Sequence, residues 1–151
     1  MGVGDPVFVD TNVLIYASRP HALQHGAARA ALARLRAGGH PLWISRQVLR
    51  EYLAAATRPQ PSGPALPMAA AIADVRRFRL AFNLAEEGDD VLDRLLHLLA
   101  THPGAGRQVH DANLVATMLA CGISRLLTFN GADFQRFGAL VTLEPVGATA
   151  T

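Results

Sequence analysis

The chemistry this sequence has to offer rests on four carboxylates, Asp10, Glu51, Asp111 and Asp133. They emerge by elimination from 12 acidic residues. Five of the 12 crowd into residues 86–93, where a helical pattern begins; negative charge suits a helix N-terminus there, and water solvates it. Asp5 and Glu144 lie near the ends of the chain, and Asp74 precedes Arg77 at the spacing of a surface helix pair. Each of the other four adjoins apolar sequence. Asp10, in "FVDTNVLIYA", stands between the apolar runs 7–9 and 13–16. Burying an unpaired carboxylate is costly unless a partner or a metal ion compensates it.

Taken singly, each of the four has a structural role open to it. Asp10 could cap the turn that follows, and Glu51 could pair with Arg50 or Arg46. Asp111 could complement a helix N-terminus, and Asp133 could initiate a turn. Brought together, they would do something else. Two unit charges about 5 Å apart at an effective dielectric of about 20 repel by roughly 3 kcal/mol. Four adjacent carboxylates therefore carry on the order of 20 kcal/mol of repulsion, more than a domain's whole stability. Such a cluster must take up protons, recruit arginines or bind cations. All-oxygen ligation suits Mg²⁺ or Mn²⁺, and one or two such ions can assist hydrolysis of a phosphodiester.

The elements that must position these acids are legible from periodicity. Residues 7–9 read as a short buried strand ending at Asp10. Residues 21–36 repeat apolar side chains at helical spacing and stop at Gly38 and Gly39. Residues 42–44 read as a strand, and Ser45 as the N-cap of the helix that carries Glu51 and ends near Arg58 and Pro59. Four prolines and a glycine make residues 59–67 a loop expected to be mobile. Helices are expected over 68–82, 89–100 and 110–121, the last with Asp111 in its first turn and Gly122 as its stop. Residues 101–108 read as a loop, 125–129 as a strand, 133–137 as a short turn or helix, and 140–143 as a last strand. Short apolar strands alternating with helices predict an α/β domain with a mostly parallel sheet covered on both faces. Such sheets bind ligands at the carboxyl ends of their strands. Asp10 lies at one such end and Asp133 just past another.

Composition narrows the classes. The 151 residues fit a single domain over 1–151, and a chain 50% hydrophobic and 17% charged argues against disorder. No apolar run approaches the roughly 18 residues of a membrane span, and the N-terminus lacks the pattern of a secretory signal, so a cytoplasmic protein is expected. The lone Cys121 excludes an internal disulfide and a multi-cysteine zinc site; beside Leu119 and Ala120 it reads as a small buried apolar residue. All 14 basic residues are arginine and the net charge is +2. Genome composition explains that simply, although guanidinium forks also suit phosphate. The glycine-rich nucleotide-binding motifs are absent. An aspartyl phosphotransferase of the haloacid-dehalogenase kind would want a second Asp where Asn12 stands, and a lysine.

"FVDTNVLIYA", the Glu51 of "SRQVLREYLAAATRP", "HDANLVATMLACG" and "LLTFNGADFQRF" occur in that order. Together, over residues 7–143, they resemble the PIN-domain ribonucleases, most closely the VapC-like toxin branch of bacterial toxin–antitoxin pairs. The resemblance implies a three-layer α/β/α domain with a short, mostly parallel sheet and a Mg²⁺- or Mn²⁺-dependent endoribonuclease. Asp10, Asp111 and Asp133 would ligate metal, and Glu51 would ligate a second ion or orient the water. Asn12 and Thr128 match the polar residues that help hold the first strand end and the metal site. Many relatives carry an acid where this chain has Asn130, so the fourth acidic role goes to Asp133 and Asn130 supports it. Arg46, Arg50, Arg58 and Arg107 become candidates for contact with RNA phosphate. The implied partners are RNA, a second copy in a homodimer, and a cognate antitoxin whose C-terminal segment fills a groove at the active site; a membrane is not among them. The rival is a catalytically silent PIN-like module that binds RNA or protein. Such relatives usually lose one or more acids, and all four are present here.

Overall fold

Val7, Phe8 and Val9 carry no polar side chain, and all three are fully buried as the central strand β1 (Val7–Val9). A run apolar on both faces belongs in a sheet covered on both sides. The computed structural model describes residues 3–147. After β1 come α1 (Thr11–Ala17), α2 (His25–Ala37), β2 (Leu42–Ser45), α3 (Arg46–Ala56) and α4 (Met68–Ala81). Then follow β3 (Asn83–Ala85), α5 (Asp89–Thr101), α6 (Arg107–Ala120), β4 (Arg125–Leu127), a 3-10 segment (Gly131–Leu140) and β5 (Thr142–Glu144).

The five strands are all parallel in the order β3-β2-β1-β4-β5. β1 places Phe8 beside Trp43 on one side and beside Leu126 on the other. The chain lays β1, β2 and β3 outward in one direction, then returns to place β4 and β5 across β1. The order therefore reverses between β1 and β4, and the crevice beyond their carboxyl ends is where such sheets take ligands. α1 packs on α2 and α3, and α3 on α4, while α5 packs on α6, giving a three-layer α/β/α arrangement. Among the described residues no helix is long and apolar enough to cross a membrane.

Capping fixes where the helices begin. Asp10 is extended and accepts from the Thr11 N–H, so the residue that ends β1 also starts α1. Ser45 does the same for α3 by accepting from Val48 N–H at 3.3 Å.

Several elements depart from the sequence reading. The apolar run 13–16 belongs to α1, a helix too short for periodicity to reveal, and α2 begins at His25 rather than residue 21. β3 is an unanticipated edge strand of only three residues, Asn83, Leu84 and Ala85. β4 stops at Leu127, because Thr128 turns to bond Asp10 at the end of β1 and the Phe129 N–H donates to Asn12 in α1. β5 spans Thr142–Glu144 rather than 140–143. α6 begins at Arg107, so Asp111 lies one turn inside the helix instead of in its first turn. Cys121 is exposed at the C-cap of α6, where the helix has already left the core. Asp74 is buried, not a surface residue: α3 brings the Tyr52 hydroxyl over it. The 59–67 loop is tied down, by a reciprocal pair of 3.0 Å bonds between Gln60 and Gly63 and by Leu66 N–H donating to Ala56 O at 2.8 Å.

Candidate active site

At the crevice the chain knots the ends of β1 and β4 together. The Asp10 N–H donates to Leu127 O at 3.0 Å. Thr128 Oγ1 donates to Asp10 Oδ2 at 2.9 Å, and Thr11 N–H to Asp10 Oδ1 at 2.7 Å. Asn12 Nδ2 donates to Thr128 Oγ1 at 3.1 Å and approaches Asp10 Oδ2 at 3.3 Å, while Asn12 Oδ1 accepts from Phe129 N–H at 3.0 Å. The Asn130 N–H closes the knot by donating to Thr128 Oγ1 at 3.0 Å. Asp10 is thus held by neutral donors alone.

Glu51 is oriented by a second chain of bonds. Thr11 Oγ1 donates to Glu51 Oε2 at 2.7 Å, and Gln47 Nε2 donates to Oε1 at 2.9 Å. Gln47 Nε2 also donates to His110 O at 2.8 Å, and its Oε1 accepts from Asn113 Nδ2 at 2.7 Å. The chain Asn113–Gln47–Glu51–Thr11 joins α6, α3 and α1 beneath the carboxylates. Sequence reasoning missed Thr11, Gln47 and Asn113. Gln47 left a signal: a buried amide one turn before Glu51, on a helix face that is otherwise apolar.

Asp111 is half-buried on α6, and Asp133 is exposed in the first turn of the 3-10 segment. Neither carboxylate accepts a hydrogen bond from a described residue. All four acids line one cleft of about 680 Å³, together with Asn12, Asn130, Arg58 and Arg107. Arg46 does not line it and is bound to Glu86 at 2.7 Å; Arg50 is exposed on α3 and lies outside it as well. Thr128 works from below, through Asp10.

The electrostatics follow from this layout. Among the described residues none of the four carboxylates forms an ion pair. Burial pushes the Asp10 carboxyl up to about 6 against the hydrogen bonds of Thr128 and Thr11, and the charges of Glu51 and Asp111 add to the rise. Burial also raises Asp111, helped by the charge of Asp133 and opposed by Arg107. The cleft is short of positive charge.

A divalent ion fits that deficit. The donors are hard oxygens, Asp10 and Glu51 are already oriented by second partners, and Asp111 and Asp133 have unused acceptors. Among the described residues no three acidic, histidine or cysteine side chains stand in a ready-formed ligand set. Mg²⁺ keeps several waters and takes one or two carboxylates directly, so it does not require three side chains already in contact. A second cavity, of about 460 Å³ between α2 and α4, holds one acid, Asp74, which already has Arg77 and Tyr52 as partners.

Comparison with known proteins adds the family context. The PIN domain family model matches residues 7–140. The solved structure of Mycobacterium tuberculosis VapC20, described as a toxin cleaving the sarcin–ricin loop, is 25% identical, with a TM-score of 0.66 over 87% of this chain and 95% of that one. VapBC2 from Rickettsia felis, solved with a DNA fragment of its promoter, is 18% identical, with a TM-score of 0.66 over 91% of this chain and 96% of that one. VapBC-1 from nontypeable Haemophilus influenzae is 16% identical, with the same TM-score of 0.66 over 93% of this chain and 97% of that one. The latter two, at this identity, speak to the fold. No curated protein matches the chain.

Proposed function

Since the chain belongs to the PIN-domain family, we propose that it is a Mg²⁺- or Mn²⁺-dependent endoribonuclease and the toxin of a toxin–antitoxin pair. The observation that carries this reading is the placement of four carboxylates, without an ion pair among the described residues, along one cleft at the switch point of the sheet. The likeness to a toxin that cleaves the sarcin–ricin loop supports it.

Asp10, Asp111 and Asp133 would hold the ion, directly or through its waters, and Glu51 would hold a second ion or orient the attacking water. When bound, the ion supplies Lewis-acid activation of water and neutralises charge building on the phosphate. The protein's part is orientation. Thr11 and Gln47 keep the Glu51 carboxylate in one position, ready to accept a proton from the water. The Asp10–Thr128–Asn12 knot keeps Asp10 from collapsing onto a nearby donor as the charge in the cleft changes. Arg58 and Arg107 supply guanidinium groups for the RNA phosphates on either side of the scissile bond. Water gives a proton to Glu51 and adds to phosphorus, the bond from phosphorus to the leaving oxygen breaks, and that oxygen takes a proton from solvent. The chain works as one domain, as a homodimer, in the cytoplasm where RNA and antitoxin are.

The test is direct. Purified protein with Mn²⁺ cleaves RNA, chelation stops it, and Asp111→Asn abolishes it while leaving the circular dichroism spectrum unchanged. Expression of the wild type arrests growth and the variant does not. Undiminished cleavage by Asp111→Asn sinks the site; RNA binding with no cleavage under any metal favours the silent module.

A further inference from the structure

One buried cation takes no part in the chemistry above. Arg19 follows α1 by two residues and is only 5% exposed. It forms no ion pair among the described residues and meets carbonyls instead. Nη1 donates to Pro64 O at 2.6 Å, Nη2 donates to Ala56 O at 3.0 Å, and Nε is buried with no partner among the described residues. Ala56 is the last residue of α3, so the guanidinium sits at the negative end of that helix dipole. Pro64 belongs to the proline-rich loop. A single side chain therefore fastens the end of one helix to a loop, across 37 and 45 residues of sequence.

The loop is shaped to accept this fastening. Gly63 has φ 149, a conformation that favours glycine, and a Cβ there would lie 3.2 Å from Arg19 Nη1, close enough to press on the guanidinium. Gln60 and Gly63 close the turn with two 3.0 Å bonds, and Gln60 Nε2 donates to Ala55 O at 3.2 Å. The tip so fixed, Gln60, Pro61 and Ser62, lines the acidic cleft beside Arg58. It brings no carboxylate to the chemistry. It offers an apolar ring, a hydroxyl and an amide, while Leu23, 57% exposed, and Tyr16 line the same cleft. Apolar surface for a base, neutral groups for its edges and a guanidinium for its phosphate match an unpaired nucleotide, whose base is free to splay out of a stack.

We propose that Arg19 is a positioning residue: by fixing the 59–67 loop, it shapes the cleft wall that receives an unpaired RNA nucleotide beside the scissile phosphate. This rests on the endoribonuclease reading. A preformed wall spares the substrate the cost of ordering the loop, so the effect of Arg19 falls on binding and selectivity rather than on the hydrolytic step.

The experiment has two arms on the full chain. The first measures amide hydrogen exchange at Gly63 and Leu66, whose N–H groups donate within the latched loop. The second measures steady-state cleavage, with Mn²⁺, of stem–loop oligoribonucleotides with randomised loops, and sequences the ends. In Arg19→Met, Gly63 and Leu66 exchange at least tenfold faster while Val9 and Leu127 do not. KM rises about tenfold, kcat stays within about threefold, and the cleaved loops become more diverse. Arg19→Lys, which keeps the charge and one donor, falls between and serves if the methionine variant does not fold. Ser62→Glu raises KM against RNA phosphate with exchange at Gly63 unchanged.

Equal exchange in wild type and both Arg19 variants overturns the latch, whatever the enzymology. Faster exchange with an unaltered KM and cleavage profile overturns the recognition role, as does a loss of kcat at constant KM. Wild-type protein that cleaves no member of the library overturns the endoribonuclease reading itself, and with it the recognition role, while exchange still decides the latch.

Discussion

Asp10 and Asp74 are equally buried, each 8% exposed, yet they are built in opposite ways. Asp74 on α4 accepts from the Tyr52 hydroxyl at 2.6 Å and pairs with Arg77, one turn along the same helix. Burial, followed by that bond to Asp74, pushes the Tyr52 hydroxyl up to about 12, so it keeps its proton and stays a donor. Among the described residues Asp10 has only neutral donors, and the charges that act on it are those of Glu51 and Asp111. A buried carboxylate matched by a cation is a fastener. One held by neutral donors among like charges waits for positive charge from outside the chain.

That contrast can be broken or sharpened. Asp10→Asn keeps the oxygen that caps α1, removes the charge and turns an NH2 toward the donors that Oδ2 accepts, so it lowers RNA cleavage by roughly a thousandfold, the size of effect seen when charge stabilisation at a reacting centre is lost. Asp74→Ala leaves kcat of the folded protein within about twofold; equal losses in the two variants would erase the distinction.

The metal-free protein gives the next largest effect. Asp10 titrates at about 6 in the folded chain against an ordinary 3.8, so the folded state binds its proton more tightly than the unfolded state does. Stability then falls as pH rises from about 4 to 6, by on the order of 3 kcal/mol, and stays low above that window. Urea unfolding in chelator should show the stability of Asp10→Asn relative to wild type rising by that amount between pH 4 and pH 7.5. Added Mn²⁺ should close the gap by stabilising the wild type alone. A difference between the two proteins that stays constant from pH 4 to pH 7.5 without metal would remove the ground for treating Asp10 as uncompensated.

Asp74→Ala orphans the Tyr52 hydroxyl and should cost about 2 kcal/mol by the same urea measurement, with no gain from Mn²⁺ beyond that of the wild type. The smallest effect belongs to Gln47→Ala, which frees one oxygen of Glu51 while leaving every acid in place. Loss of such an orienting bond lowers cleavage roughly tenfold. A loss as deep as that of Asp10→Asn would make Gln47 part of the reacting centre.

What could be seen in the sequence followed from chemistry carried by single residues. Asp10 between two apolar runs, and Asp111 before Leu114 and Val115, stand out because an acid beside buried neighbours is unusual. The parallel sheet was legible because β1, β2 and β4 are apolar on both faces. Features that depend on backbone atoms or on distant crossings were not. Arg19 binds two carbonyls, which no side-chain pattern records. Gln47 meets Asn113 only because α3 and α6 approach each other at the cleft. Asp74 was misread because its spacing from Arg77 is the same for a surface pair as for a buried one; the partner that distinguishes them, Tyr52, comes from another helix. β3 was missed because an edge strand of three residues needs little apolar sequence.

The exposed C-cap of α6 has a practical use. Cys121 is the chain's single thiol, and it stands ten residues beyond Asp111 on the same helix, a rise of about 15 Å along the axis. Partial burial pushes the thiol above its usual range, so maleimide coupling calls for mildly alkaline buffer. A fluorophore attached there rides on the helix that carries a cleft acid without intruding on the cleft, and its anisotropy can follow complex formation in real time.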